Sequence, residues 1–264
     1  MRGFGDYLRL MAAYVRLNLA AQLEYRAAFL SQVIAMFIND GVWVVFWVVF
    51  FSRFPVLRGW TVQDVITVWA ITAAGFGLAF GLFGNAQELA RLIMRGQLDV
   101  WMLYPRRVLP HLLPGKMQTT AWGDMLFGFI VYILFVHPTP AQLLLFCALT
   151  LAVMMLFVGF GILTGSLTFF IGNGVALAEQ WQIALITFST YPGIIFDGAI
   201  RLILFTVIPA IFVSYFPIEA LRTLSLGAAL IAVAGSLAVL VVGVLVFYVG
   251  LRRYESGNLM EMRG

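Results

Sequence analysis

The chain has 264 residues, 62% of them apolar and only 11% charged, with 16 basic and 12 acidic side chains and one cysteine. A soluble domain carries charge on about a quarter of its residues, so this composition argues against a water-soluble enzyme, and no continuous basic face with interleaved aromatics points to nucleic acid. Cys147 alone excludes an intramolecular disulfide and a multi-cysteine metal site.

The apolar residues fall in blocks of about twenty, the length that crosses a ~30 Å hydrocarbon core as a helix. The expected fold is an all-α polytopic membrane protein. Residues 1–26 are interrupted by Arg2, Arg9, Arg16 and Arg26, so they lack the unbroken apolar run of a cleavable signal peptide. Leu8, Met11, Val15 and Leu19 recur at three- and four-residue steps, while Arg9 and Arg16 lie one heptad apart on another side. This pattern predicts an amphipathic helix in the membrane interface; the alternative is a cytosolic extension of the first span.

The remainder, 27–264, reads as one membrane domain with spans at 27–51, 62–84, 117–136, 142–171, 178–196 and 224–250. Gly77 and Gly81, and Gly161 and Gly165, are spaced four apart, as small residues are where helix backbones approach closely in lipid. The segment 197–222 has an apolar core from Leu202 to Phe216, about 22 Å long as a helix, with Pro209 near its middle and Pro217 just past its end. It reads as a re-entrant hairpin rather than a crossing. Six spans put twelve basic residues on one side, from Arg2 to Arg263, and leave only Arg53, Arg58, Arg201 and Arg222 on the other. Basic residues accumulate in the cytoplasm, so both termini and the 85–116 loop are expected there.

That loop concentrates charge. Glu88, Arg91 and Arg95 share one helical side, with Leu89, Leu92 and Ile93 on the other; Gly96 then breaks the helix, and Pro105 ends the run from Leu98 to Tyr104. Two readings stay open from the residues alone: a protein-docking surface, or a headgroup anchor through Trp101, Tyr104, Arg106 and Arg107.

Four polar features lie within spans. Asn39 and Asp40 fall near the middle of the first, Asp124 in the cytoplasmic half of the third, and Glu179 at the start of the fifth. An intramembrane aspartate normally faces the bundle interior or water. Asp40 either lines a translocation path or, the reading favoured, bonds across helices or at a dimer interface. Asp197 and Arg201 are four apart and pair if that turn is helical. His111 and His137 each lack a second ligand at metal spacing and read as structural, so no metal site is expected. No GxxxxGK[ST] phosphate loop, nucleophile motif or carboxylate pair in one segment occurs, and no catalytic residue is assigned.

The pattern Arg95-Gly96-Gln97-Leu98-Asp99, with Leu103 and Pro105, resembles the cytoplasmic loop of bacterial type-2 ABC exporter permeases, closest to a family of about 260-residue paired permeases. Tyr191-Pro192-Gly193-Ile194-Ile195-Phe196-Asp197-Gly198, continuing through Arg201, Pro209 and Pro217, resembles that family's extracellular hairpin, and Arg253-Tyr254-Glu255-Ser256-Gly257-Asn258 its C-terminal end. The resemblance implies a non-catalytic export subunit of the bacterial inner membrane. A coupling helix in the 85–116 loop would dock a cytosolic ATPase dimer through Glu88, Arg91, Arg95, Gly96, Leu98, Asp99, Trp101 and Pro105, with Leu98 and Trp101 supplying affinity. It further implies a second permease, identical or homologous, an outer gate in the hairpin, and ATP and Mg on the partner ATPase rather than a cofactor in this chain. Membrane lipid is the remaining partner. The rivals are a proton-coupled secondary transporter using Asp40 or Asp124, against which no inverted repeat is visible, and a non-transporting scaffold that recruits a cytosolic protein.

Overall fold

The computed structural model describes residues 4–254, which are mainly helical, with no strand among them beyond an isolated bridge between Leu57 and Trp60. Helix α1, Phe4–Glu24, breaks at Tyr25 and gives way to α2, Arg26–Arg53. Helix α3, Val62–Leu82, opens on a capping box in which the Thr61 backbone N–H donates to the Asp64 carboxylate at 2.7 Å. A connector comes next, built from α4, Asn85–Met94, α5, Leu98–Met102, and α6, Val108–Leu112.

Helix α7, Ala121–Val131, runs on as a π-helical turn to Val136. Thr139 caps α8, Pro140–Ser166, whose first helical residue is the proline that position tolerates, and α9, Thr168–Ile171, prolongs it. Then come α10, Val175–Thr190, α11, Gly198–Thr206, α12, Ile211–Ser214, α13, Phe216–Thr223, and α14, Leu226–Leu251, capped by Ser225.

Among the described residues, four helices are long and apolar enough to cross a bilayer: α2, α3, α8 with α9, and α14. The bent unit of α11 with α12–α13 makes a fifth if it counts as one span. It folds by 94° around residues 207–210, where Pro209 sits, and Pro217 lies in the first turn of α13.

Two expected spans are shorter than their apolar sequence suggests. The helix expected over 117–136 begins only at Ala121, because the preceding residues are tied to the end of α3: Gly84 donates to the Lys116 carbonyl at 3.0 Å and Gln118 to the Phe80 carbonyl at 3.1 Å. The one expected over 178–196 stops at Thr190, since Pro192 forces Tyr191 into extended backbone, φ −97° and ψ 148°. Each of these helices has about sixteen residues, roughly 24 Å at 1.5 Å per residue.

Helix α3 is the axis of the bundle. Its most apolar window is 83% buried, against 22% for α2 and for α14, because α2, α7, α8 and α10 all pack around it. On α2 only one stripe is buried, Val33, Asp40, Val44, Trp47 and Phe51. Ile34, Ile38, Val42 and Val49 are exposed apolar residues on its other side, as befits a helix facing lipid or another apolar surface. Helix α8 packs along α14 on one side and receives the connector on another.

Candidate functional site

The connector is seated on the bundle by its apolar side. Ala86, Leu89, Ala90 and Ile93 of α4 are buried, and they meet α8 where Gly161 and Gly165 remove the side chains that would stand in the way. A Cβ on Gly161 would lie 2.9 Å from the Ala86 carbonyl oxygen, and one on Gly165 would lie 2.8 Å from the Leu89 Cβ. The expected close approach at these glycines is thus between span and connector. Gly77 does serve a span contact, its missing Cβ giving room to the α7 backbone at Met125, whereas a Cβ on Gly81 would sit in ordinary contact with Ala121 and Trp122, 3.9 Å away.

The polar side of α4 is tied inside the chain. Arg91 pairs with Glu88 at 2.6 Å and with Glu179 on α10, and Lys116 pairs with Glu88 at 3.2 Å. Glu179 first, then Glu88, pushes the Arg91 guanidinium further above its ordinary range. Helix α4 then ends as a Schellman motif: Gly96 adopts φ +68°, its N–H donating to Ile93 and that of Gln97 to Leu92.

Beyond Gly96 the chain turns inside out relative to expectation. Leu98 is fully buried, so it anchors the connector and offers nothing to a partner. Trp101 is half-buried against Gly115. The surface is formed instead by Arg95, Gln97, Asp99, Val100, Met102, Leu103, Tyr104, Pro105 and Arg107, with Leu103 85% exposed. The Tyr254 hydroxyl comes up beneath Gly96, and burial, with the Asp99 carboxylate beside it, raises its phenol well above the ordinary range.

Helix α1 clasps the same connector. Asn18 donates to the Pro114 carbonyl at 3.2 Å and Gln22 to that of Met117 at 3.0 Å, while the Tyr14 hydroxyl and the Nδ1 of His111 share a hydrogen bond of 2.9 Å. His111 is buried, with Trp101 and Tyr104 edge-on to its ring. Burial, then Arg106, pulls its pKa below the usual histidine value. Met11, Val15 and Leu19 are half-buried while Arg9 and Arg16 are exposed; the side chain of Leu8 lies outside the described residues.

A cavity of about 300 Å³ lies between α2, α3, α7 and α10. Along α2 it runs from Met36 to Trp47, about 16 Å of helix axis. Asp40 and Asp124, 5% and 4% exposed, meet in it, and Asn39 donates to the Asp40 carboxylate at 3.3 Å. Trp43 stacks on Trp69, with centroids 5.5 Å apart at 17°, and Trp47 meets Tyr191 edge to face.

At the far end of α10, Tyr191, Pro192 and Asp197 lead into the bent unit. Asp197 pairs with Arg58 of the α2–α3 loop at 2.5 Å, not with Arg201. Arg201 lies instead over the Tyr215 ring, 5.7 Å from its centroid, and Tyr215 also stacks on Trp60. The Arg58–Asp197 and Arg91–Glu179 pairs bracket α10 at opposite ends.

The family described as ABC-2 family transporter protein matches residues 37–257. The chain belongs to the ABC-2 transporter family. No curated relative and no solved structure matches it. It is therefore an ABC-type permease, a multi-pass membrane protein of a family whose membrane subunits are generally not catalytic. The match begins within α2 and takes in the connector, the cavity-lining helices and the bent unit.

Several residues of this permease that shape its sites were not singled out from the sequence: Glu179 as the connector's ion-pair partner, Val100, Met102 and Leu103 as exposed apolar surface, and Trp43, Trp47 and Trp69 as cavity wall. The periodicity of α2 held part of the signal, since Asp40 falls in register with Val33, Val44, Trp47 and Phe51. The C-terminal motif from Glu255 onward, and Arg2, lie outside the described residues.

Proposed function

We propose that the chain is the membrane subunit of an ATP-driven exporter, working with a second permease and a separate ATPase dimer that carries the ATP and Mg. The observation that carries this reading is the connector's build. It presents an exposed surface of Val100, Met102, Leu103 and Tyr104 edged by Arg95, Asp99 and Arg107, on a base locked to α8 by close packing and to α10 by the Arg91–Glu179 pair. An apolar patch with a charged rim suits a specific protein partner. A rigid base suits passing the partner's movement to α10, which lines the cavity.

In this reading α2, α3, α7, α8, α10 and α14 are six crossings, with α7 and α10 short enough to require local thinning or flanking residues to complete the passage. The bent unit is a re-entrant hairpin at the outer face, forming part of the outer gate with Tyr191, Pro192, Asp197, Arg201, Pro209 and Pro217. Both termini and the connector face the cytoplasm across the bacterial inner membrane. Support comes from the way contacts segregate: Arg58–Asp197 and Gln142 to the Leu221 carbonyl gather the loops of one end. Tyr14–His111, Arg91–Glu179 and Tyr254 beneath Gly96 gather those of the other.

A second reading draws on Asp40 and Asp124 lying together in the cavity. Paired intramembrane carboxyls are a proton-site arrangement, and transport would then follow a proton gradient. The experiment is flux in vesicles holding this chain, its second permease and the ATPase. Export that requires ATP and persists when the proton gradient is collapsed supports the first reading. Flux under a gradient without ATP supports the second, and ATPase recruitment without flux leaves only a scaffold.

A further inference from the structure

The cavity between α2, α3, α7 and α10 has an unusual balance of charge. Two carboxyl groups, each more than nine-tenths buried, meet in it, and among the described residues no lysine, arginine or histidine lines it. One oxygen of Asp40 and one of Asp124 have no hydrogen-bond donor. The threonine hydroxyls in the wall are engaged elsewhere, Thr72 with the Ser189 carbonyl and Thr187 and Thr190 with carbonyls of their own helix.

The apolar part of the wall is mostly aromatic, with Met36, Ala73 and Ile186 completing it. Trp43, Trp47, Trp69, Phe76 and Tyr191 surround the space. Trp43 and Trp69 stack on each other, which leaves one face of each turned away from its neighbour, while Trp47 and Tyr191 meet nearly at right angles. Aromatic faces attract a cation through the negative potential of the ring, and an unpaired buried carboxylate demands a counter-charge. The donors on this wall, the indole N–H groups of Trp43, Trp47 and Trp69, the Asn39 amide and the Tyr191 hydroxyl, are all neutral. Even with one proton shared between the two adjoining carboxyls, the charge left on the pair favours a cation over an anion.

We propose that this cavity binds a lipophilic organic cation, an amine or quaternary ammonium on an apolar body, with Asp40 and Asp124 facing the charge and the tryptophans enclosing it. Its volume of about 300 Å³ fits a small ligand, at the lower end of the range for such pockets. That the bound cation is also the exported cargo rests on the export reading; its binding does not.

The test uses the full-length permease in lipid nanodiscs, without ATPase, titrated calorimetrically against an empty-nanodisc control. The probes are benzyltrimethylammonium and phenylmethanesulfonate, similar in size and opposite in charge. The cation is expected to bind at least tenfold tighter, the preference collapsing in Asp40→Asn and Asp124→Asn and weakening severalfold in Trp43→Leu. Trp43 is 39% exposed at the cavity's edge, so its variant keeps the test open if an aspartate variant fails to fold. Equal binding of the two probes overturns the proposal, as does a preference that survives both aspartate variants; either result leaves the pair to proton sharing. Cation binding without ATP-driven flux of the same cation retains the site and removes its link to export.

Discussion

Arg91 on the connector reaches both Glu88 on its own helix and Glu179 at the start of α10, so one guanidinium joins the connector to a wall of the cavity. Arg91 and Glu179 are each 43% exposed, and an ion pair so open to water contributes at most about 1 kcal/mol to stability. On the export reading, its value lies in alignment. Arg91→Gln and Glu179→Gln should each leave the thermal midpoint nearly unchanged and lower the flux obtained per ATP hydrolysed. The double variant should fall no further than the worse single, as coupled residues do; additive losses would show that the two act separately.

The connector's buried and exposed leucines should separate stability from docking. Leu98→Ala removes a fully buried side chain and should cost about 2–5 kcal/mol, seen as a lowered unfolding midpoint. Leu103→Asp changes an 85% exposed residue, so it should leave the midpoint in place and abolish co-purification with the ATPase. If Leu103→Asp still co-purifies fully, the exposed surface is not the docking face.

The glycines beneath the connector offer a mechanical test. Gly165→Val would drive a side chain into Leu89 and the backbone of Ala90, an overpacking that costs about 1–3 kcal/mol. Insertion should be preserved, while proteolysis within the connector should quicken and ATP-driven flux should drop. Unchanged protease resistance would mean that α4 does not depend on this seat.

Clasping of the connector by α1 should depend on pH. The folded-state pKa of His111 lies below its ordinary value, mainly because the ring is buried, so protons bind the unfolded chain more readily. The contribution is present in full above the unfolded pKa of about 6.5 and is lost as pH falls through the folded value. Between pH 7.5 and 5 the wild-type midpoint should fall more steeply than that of His111→Gln; parallel curves would remove His111 from the clasp.

The long apolar helices were legible in the sequence because α2, α8 and α14 need little beyond composition to form in a bilayer. The Gly96 break was legible too, since a helix ending in left-handed backbone favours glycine. The ends of α7 and α10 were not. They are set by backbone bonds between Gly84 and Lys116 and by Pro192, and hydropathy does not register either. Side-chain pairing across the fold was equally hidden. Local spacing offered Arg201 to Asp197, but the bent unit carries Arg201 to the Tyr215 ring and leaves Asp197 to Arg58, 139 residues away in sequence. Leu98 misled because a leucine in a charged loop reads as surface grease until the packing of the connector is known.

The most direct measurement is sidedness at the connector. In a Cys147→Ala background, which removes the exposed native thiol, single cysteines at Leu103 and at Val56 of the α2–α3 loop are treated with a membrane-impermeant maleimide. The cysteine at 56 should label in intact cells, and the one at 103 only after the membrane is opened, with protection when the ATPase is present. Labelling of position 103 from outside intact cells would contradict a cytoplasmic docking surface and the export function built on it.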